Sequence, residues 1–484
     1  MTAISFTRRA LWLALAAGSA AVAQGFDQPP LPGAPRPLAI AAPVEQRLPN
    51  GLRVVLAERR GVQLVTAELV VLAGSEVDPP ARAGLASMTA GLLTKGTRRR
   101  SATQLAQAAE SLGGALDSGA GWHQSGVGIT VTVPKIDAAL ALLSEVVRQP
   151  AFAPAELERL RAQSLDELKV AYTEPGRLAA LAAQRLLHGG GPYGHPAGGT
   201  PASLTKIARS DLVALHAARY RPDNAVLVLA GDLDAAAALQ LARRHFGAWQ
   251  PARDAAPGPA LPPNTALPQA AAVVDMPQAG QAAVVVASPL PPLGADRATA
   301  AVMNSVLGGG FSSRLNQEIR IRRGLSYSAG SGLDARPEGA SLRAVIQTKN
   351  ESAAEVVALV QAELDRLASA PVEAEELGAR KATVIGDFSR SVETTAGLAA
   401  AVKGLIVAGR SPAELRTRIE ALAAVSAQDV QRYAAAHLAL GGRRIVVAGN
   451  AAQFAPALRA AHPELLVVPS AALDLDSGSG LRAP

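Results

Sequence analysis

One pattern occurs twice in this chain, and that repetition limits the folds open to it more than any other feature. Asp211-Leu-Val, followed by Asn224-Ala-Val-Leu-Val-Leu-Ala-Gly-Asp232, returns as Asp429-Val-Gln followed by Arg443-Arg-Ile-Val-Val-Ala-Gly-Asn450. A helical pair at 136–169 returns at 353–388, with Pro154-Ala-Glu-Leu answered by Val372-Glu-Ala-Glu-Glu-Leu. The offset stays near 217 residues, as from Ile136 to Ala353. Several elements that keep order and spacing indicate two copies of one α+β domain. Residues 250–270, rich in proline and without periodicity, read as an extended linker between them.

Within the first copy, Asn50-Gly51 between two apolar runs predicts a hairpin, and residues 64–73 and 225–229 predict buried strands. Residues 128–133 alternate, with Ile129, Val131 and Val133 inward. Helices are expected at 84–93, 101–112 with Ser101 as cap, 136–148, 155–172, 178–188, 211–218 and 233–246. Residues 470–484 contain Ser-Gly-Ser-Gly and read as a flexible tail.

Composition narrows the chemistry. The 484 residues include no cysteine, which excludes disulfides, thiolate catalysis and cysteine-ligated metal. With 49% hydrophobic residues the chain is not a disordered polypeptide. Residues 1–23 have the form of a secretory signal: Arg8 and Arg9, an apolar run over 10–17, and Ala21-Val-Ala23 as a small-residue cleavage site. An exported, periplasmic protein is therefore expected, with 24–42 as a loose lead-in and no membrane span once the signal leaves. The net charge of +7 falls to +5 when Arg8 and Arg9 depart, and only 3% of residues are aromatic. Arg98-Arg-Arg100 is the one dense basic cluster, so nucleic-acid binding is not expected.

The stretch 308–328 carries the most specific chemistry. Gly308, Gly309 and Gly310 break the helix that precedes them. A short helix then follows, with Ser312 or Ser313 as cap, Phe311, Leu315 and Ile319 as its apolar face and Gly324 as its stop. Leu325-Ser-Tyr-Ser328 is expected to start a strand, so that Arg320 and Tyr327 point at one spot. A guanidinium and a phenol beside a glycine loop suit a carbonyl oxygen that gains negative charge. On these residues alone, a solvated basic face with Arg314, Glu318 and Arg322 at i, i+4 spacing is the commoner reading.

The whole run resembles the second-domain signature of the pitrilysin/insulinase-type inverzincin zinc metallopeptidases, and the resemblance extends over about 44–468. It implies two tandem homologous domains (43–249 and 271–469), each a mainly antiparallel sheet packed with helices. It also implies that Arg320 and Tyr327 hold a substrate carbonyl, while Gly308, Gly309 and Gly310 line the substrate chamber. In that family the first domain carries His-x-x-Glu-His on a helix, two zinc ligands and a general base, with a further glutamate ligand on a second helix. The flanks survive here as Gly84-Leu-Ala and Leu92-Leu-Thr-Lys-Gly-Thr97, but the motif reads Ser87-Met-Thr-Ala-Gly91. Glu167 fits the distant ligand's place and stands alone, one carboxylate where zinc needs three protein ligands. None of the seven histidines has a partner at i, i+4, so no metal site is expected in this chain.

The resemblance then implies a zinc-motif-deficient subunit, inactive alone, that binds a peptide against the zinc of a sister chain carrying His-x-x-Glu-His. An edge strand near 113–118 is the expected place for the peptide to add as a further strand, although Asp117-Ser118 replaces the family's usual Asn-Ala. The alternative is a non-catalytic peptide-binding or structural assembly protein of the same fold. A self-sufficient peptidase would need a metal site that the sequence does not offer.

Overall fold

The computed structural model describes residues 40–250, 263–477 and 480–481. The signal expected at 1–23, most of the lead-in and residues 251–262 of the expected linker lie outside the described residues.

The first half folds as strands β1 (Val44–Arg47), β2 (Arg53–Glu58) and β3 (Leu64–Val71), then helices α1 (Leu85–Leu93) and α2 (Ala102–Ser111). Strands β4 (Asp117–Ala120) and β5 (Ser125–Thr132) precede α3 (Ile136–Arg148), α4 (Pro154–Ala171), α5 (Pro175–His188), α6 (Pro201–Lys206) and α7 (Arg209–Arg219). Strand β6 (Ala225–Gly231) and α8 (Ala235–Phe246) complete it. The second half repeats the plan with β7 (Ala271–Asp275), β8 (Ala282–Leu290), α9 (Arg297–Leu307), β9 (Ala329–Arg336) and β10 (Gly339–Thr348). There follow α10 (Ala353–Ser369), α11 (Ala374–Ser391), α12 (Thr395–Val407), α13 (Arg418–Ala424), α14 (Ala427–His437), β11 (Arg444–Gly449), α15 (Ala455–Ala461) and β12 (Leu466–Pro469).

Two six-stranded sheets result, in the orders β1-β2-β6-β3-β5-β4 and β12-β7-β11-β8-β10-β9. Both are mixed and mainly antiparallel, with β2 parallel to β6 and β11 parallel to β7. Five strands of each sheet correspond across the repeat. The sixth does not: β1 comes from the start of the chain and runs antiparallel to β2, whereas β12 comes from the end and runs parallel to β7.

Strand alternation explains how both faces of a sheet are covered. In β8, Ala282, Val284 and Val286 enter the main core of the second half, while Ala283 and Val285 face a second layer. That layer is α5, a helix of the first half, through Leu178, Ala179, Ala182, Ala183 and Leu186. The reverse exchange also holds. Helix α12 of the second half lies on β3 and β6 of the first, burying Leu398, Ala399 and Val402. Thr395 Oγ1 meets Thr66 Oγ1 at 2.9 Å, and Lys403 Nζ pairs with Glu68 at 2.6 Å. Each buried leucine in these seams is worth about 1.5–3 kcal/mol relative to exposure.

The tail differs from its expectation over the described part. Leu475 and Leu481 are buried, Asp474 N–H donates to Leu481 O at 2.8 Å, and buried Arg185 of α5 donates to Leu475 O. Two leucines outweigh the mobility that glycine and serine would otherwise give. Residues 263–270 are likewise docked: Leu267 is buried, and its N–H donates to Leu186 O at 2.8 Å.

Candidate functional site

Helix α9 ends at Leu307, and the backbone then turns against β9. Gly308 O accepts from Ser331 N–H at 3.1 Å, and a Cβ on Gly308 would lie 2.3 Å from that nitrogen. Glycine is obligatory there because two backbones touch. Gly309 is nearly as confined, its Cβ falling 2.7 Å from Ser305 Cα, whereas a Cβ on Gly310 would meet only Arg380 at 3.8 Å.

The short helix after this loop is a π-helix, Asn316–Arg322, and Gly324 closes it in the left-handed region at φ 64°. Such one-turn π segments concentrate at functional sites. Leu315 and Ile319 are fully buried as expected, but Phe311 is 63% exposed and does not join their face. It precedes the helix, which begins at Arg314, so helical periodicity does not govern its direction. Neither serine caps the helix. Ser313 is buried and donates to Gly310 O at 2.6 Å, and Ser312 accepts from Arg380. Glu318 pairs with Arg322 at 2.8 Å and with Arg323, while Arg314 leaves that row for a two-pronged pair with Glu376 of α11.

Tyr327 sits on a bend rather than in a strand, since β9 starts at Ala329. Ser326 holds the bend by donating to Gln347 O at 2.7 Å, and its Oγ accepts from Ser328 N–H at 3.1 Å. The phenol is 87% exposed.

Arg320 joins these pieces. Its Cζ lies 5.0 Å from the Phe311 ring centroid and 4.9 Å from that of Tyr327. Two aromatic rings restrain the guanidinium through cation–π attraction. Within the described residues no hydrogen bond or ion pair engages its N–H groups. Phe311 and Arg320 line a groove of about 510 Å³ together with Gly308, Gly310 and Arg343, and Tyr327 reaches it only through its contact with Arg320. Arg320 and Tyr327 are therefore brought together, with Gly308 and Gly310 in the groove wall. Strand β9 is the edge of its sheet, although Gly308 caps its outer side at Ser331. Strand β4, at the edge of the first sheet, occupies part of the region singled out for peptide addition; residues 113–116 lie before it.

In the first half, α1 turns Ser87, Met88 and Gly91 toward α4, where Ser164 and Glu167 complete a cavity of about 470 Å³. Ser87 and Glu167 thus face the same space. Both are hydrogen-bonded: Ser87 Oγ donates to Ala197 O at 3.1 Å, and Glu167 Oε1 accepts from Gln163 at 2.9 Å. Ala90, in the place of the base, is fully buried. A hydroxyl, a thioether and one carboxylate do not fit zinc. Among the described residues, no group of three or more histidine, aspartate or glutamate side chains is placed to hold a metal ion.

A second cluster went unread in the sequence because its members are far apart along the chain. Arg336 at the end of β9 is buried, 4.3 Å from the Trp122 ring centroid and 4.4 Å from that of Tyr193, and it holds Asp334 by two hydrogen bonds. Tyr193 Oη lies 2.6 Å from His123 Nε2. Burial, aided by the Arg336 charge, draws His123 down to about 4 and His188 to about 3. Burial also lifts Glu76 to about 7. Between those values His123 and Glu76 are both neutral, so their 3.9 Å approach is not an ion pair there.

Residues 53–190 match a sequence profile described as insulinase, peptidase family M16, and residues 206–384 match one described as peptidase M16 inactive domain. An uncharacterized zinc protease of Mycobacterium tuberculosis is 30% identical over 360 residues, 74% of this chain and 82% of that protein. The chain belongs to the insulinase family. Another similar protein is the non-peptidase homolog YmxG of Helicobacter pylori, 26% identical over 343 residues, 70% of this chain and 78% of that one. Among solved structures, a peptidase M16 inactive domain from Pseudomonas fluorescens superimposes with a TM-score of 0.77 at 26% identity, over 84% of this chain and 98% of that one. This insulinase-family chain keeps the family fold and lacks its zinc motif.

Proposed function

We propose that this chain is the substrate-presenting subunit of a two-chain insulinase-type peptidase. It binds an extended peptide and offers Arg320 and Tyr327 to the carbonyl oxygen of the bond to be cleaved. A sister chain with His-x-x-Glu-His supplies the zinc. The observation that carries this reading is the guanidinium of Arg320, restrained by two rings and without a hydrogen-bond or ion-pair partner among the described residues. A donor held ready without a partner stabilises charge as it develops, because it need not reorganise. Tyr327 adds a phenolic donor from a bend pinned by Ser326. The ligand-poor α1 supports assigning the metal to another chain, and the signal-like residues 1–23 support an exported, periplasmic setting.

A second reading, a peptide-binding or assembly protein with no part in catalysis, draws on the similarity to a non-peptidase homolog. The two separate in one experiment. The chain is purified alone and with the sister chain, and each preparation is assayed on a fluorogenic peptide with and without chelator. The pair is expected to be active and chelator-sensitive, and the lone chain inactive. Arg320→Ala or Tyr327→Phe in the pair is expected to lower kcat/KM by about tenfold or more. Activity of the lone chain overturns the proposal, and a pair indifferent to both substitutions supports the second reading.

A further inference from the structure

Three arginines of the second half converge on one cavity with a single carboxylate between them. Arg297 opens α9, Arg418 opens α13, and Arg410 lies in the connection from α12 to α13. The cavity measures about 420 Å³, and Glu414 is the one acidic residue in its described wall. Glu414 is already engaged, accepting from Arg410 Nε at 2.7 Å, and Arg410 also donates to Gly294 O at 2.5 Å. Within the described residues no hydrogen bond or ion pair engages the guanidinium of Arg297 or Arg418.

This arrangement is costly without a guest. Three cations and one anion leave two positive charges in a half-buried space, where Coulomb repulsion is less screened than in water. Arg297 also sits at the first residue of a helix, the end at which the peptide dipoles disfavour a cation. Burial, then Arg297 and Arg410 beside it, draw Arg418 down to about 10, so it still carries its charge at neutral pH. Apart from Thr417 the rest of the wall is apolar, with Phe388, Leu405 and Leu415 facing the same space. A concave apolar pocket with a few convergent polar groups is the usual form of a small-molecule site, and guanidinium forks match the oxygens of carboxylate and phosphate.

The geometry points to this cavity as a binding site for a small organic anion, with a carboxylate or phosphate head on an apolar stem. The head meets Arg297 and Arg418, and the stem lies against Phe388 and Leu405. The site is separate from the Arg320 groove and does not depend on the peptide-presenting role. Its walls tie α12, which covers the first sheet, to α9 and α13 of the second half. Occupancy therefore stabilises the whole molecule.

The test uses the full chain, with phenyl phosphate, benzoate and inorganic phosphate as probes at matched ionic strength, followed by calorimetric titration and thermal unfolding. Saturable one-to-one binding of phenyl phosphate or benzoate is expected, with a rise in Tm and with inorganic phosphate weaker. The tighter of the two aromatic probes identifies the head group. Arg297→Gln and Arg418→Gln relieve repulsion, so each should raise the Tm of the free protein while weakening binding about tenfold or more. Lys169→Gln, on an exposed pair with Asp166, is the control and should leave binding unchanged. Absence of saturable binding overturns the proposal. So does inorganic phosphate binding tighter than both aromatic anions, or binding that Arg297→Gln and Arg418→Gln leave intact.

Discussion

The Phe311 ring touches a cation rather than a core. It is 63% exposed and lies 5.0 Å from Arg320, so its removal uncovers no interior. Phe311→Ala should leave stability within about 0.5 kcal/mol of the parent. It should nonetheless weaken peptide binding or paired activity several-fold, as Arg320 gains freedom. Denaturant unfolding and peptide titration on the same preparation check both halves of that expectation. Glu76 gives a second outcome at this scale. Burial raises it from 4.5 to about 7, so over that window the folded protein keeps a proton that the unfolded chain has released. Its contribution is full below 4.5 and is lost as pH rises through about 7. His123 works the other way: its contribution is present above 6.5 and is lost as pH falls through about 4. Glu76→Gln keeps an acceptor for Gly74 N–H and never ionises. It should therefore be more stable than the parent at about pH 8, by roughly 1–3 kcal/mol, and equal to it near pH 4, as unfolding at both values will show. Arg320 and Tyr327 could be singled out in the sequence because the run 308–328 resembles a family signature, whereas the residues alone favour a solvated basic face. The outward turn of Phe311 could not, since it rests on a turn that precedes any helical period.

At the scale of elements, α1 is the informative one. The sequence shows what its zinc motif has lost, and the structure shows what its geometry has kept. Ser87 and Gly91 lie one helical turn apart and line the same cavity as Glu167. A Cβ at Gly91 meets only Leu160 Cδ2, at 3.2 Å, the flexible end of a side chain. The double substitution Ser87→His/Gly91→His should therefore recreate a three-ligand site. After dialysis against zinc, metal analysis is expected to find one ion per chain, and Glu167→Gln in the same background should abolish it. A double variant that holds no zinc would mean that α1 and α4 no longer keep ligand spacing. The π-helix Asn316–Arg322 was beyond reading from sequence, because a single extra residue per turn leaves the same apolar positions in place. The bend at Tyr327 was similarly hidden: Leu-Ser-Tyr-Ser suits a strand start, and the Ser326 bond to Gln347 O that prevents it joins distant positions.

For the molecule as a whole, the repeat was legible and the exchange of helices was not. Periodicity marks the apolar stripes of α5 and α12, but it does not say which sheet each stripe meets. The linker composition suggested separable domains, and the two seams make each half incomplete without the other. Residues 40–250 and 263–481, expressed separately, should each lack a cooperative unfolding transition and bind a hydrophobic dye. Together they should regain a single transition. A cooperative melt of 40–250 alone would show that α12 is dispensable to the first sheet.

The exchange also sets a timetable for the growing polypeptide. The first sheet's last strand ends at Gly231, and the helix that roofs it starts at Thr395. A ribosome must deliver everything in between before that surface closes. Until then the chain carries an open hydrophobic face on its first sheet, so that closure of that sheet waits on residues encoded far downstream.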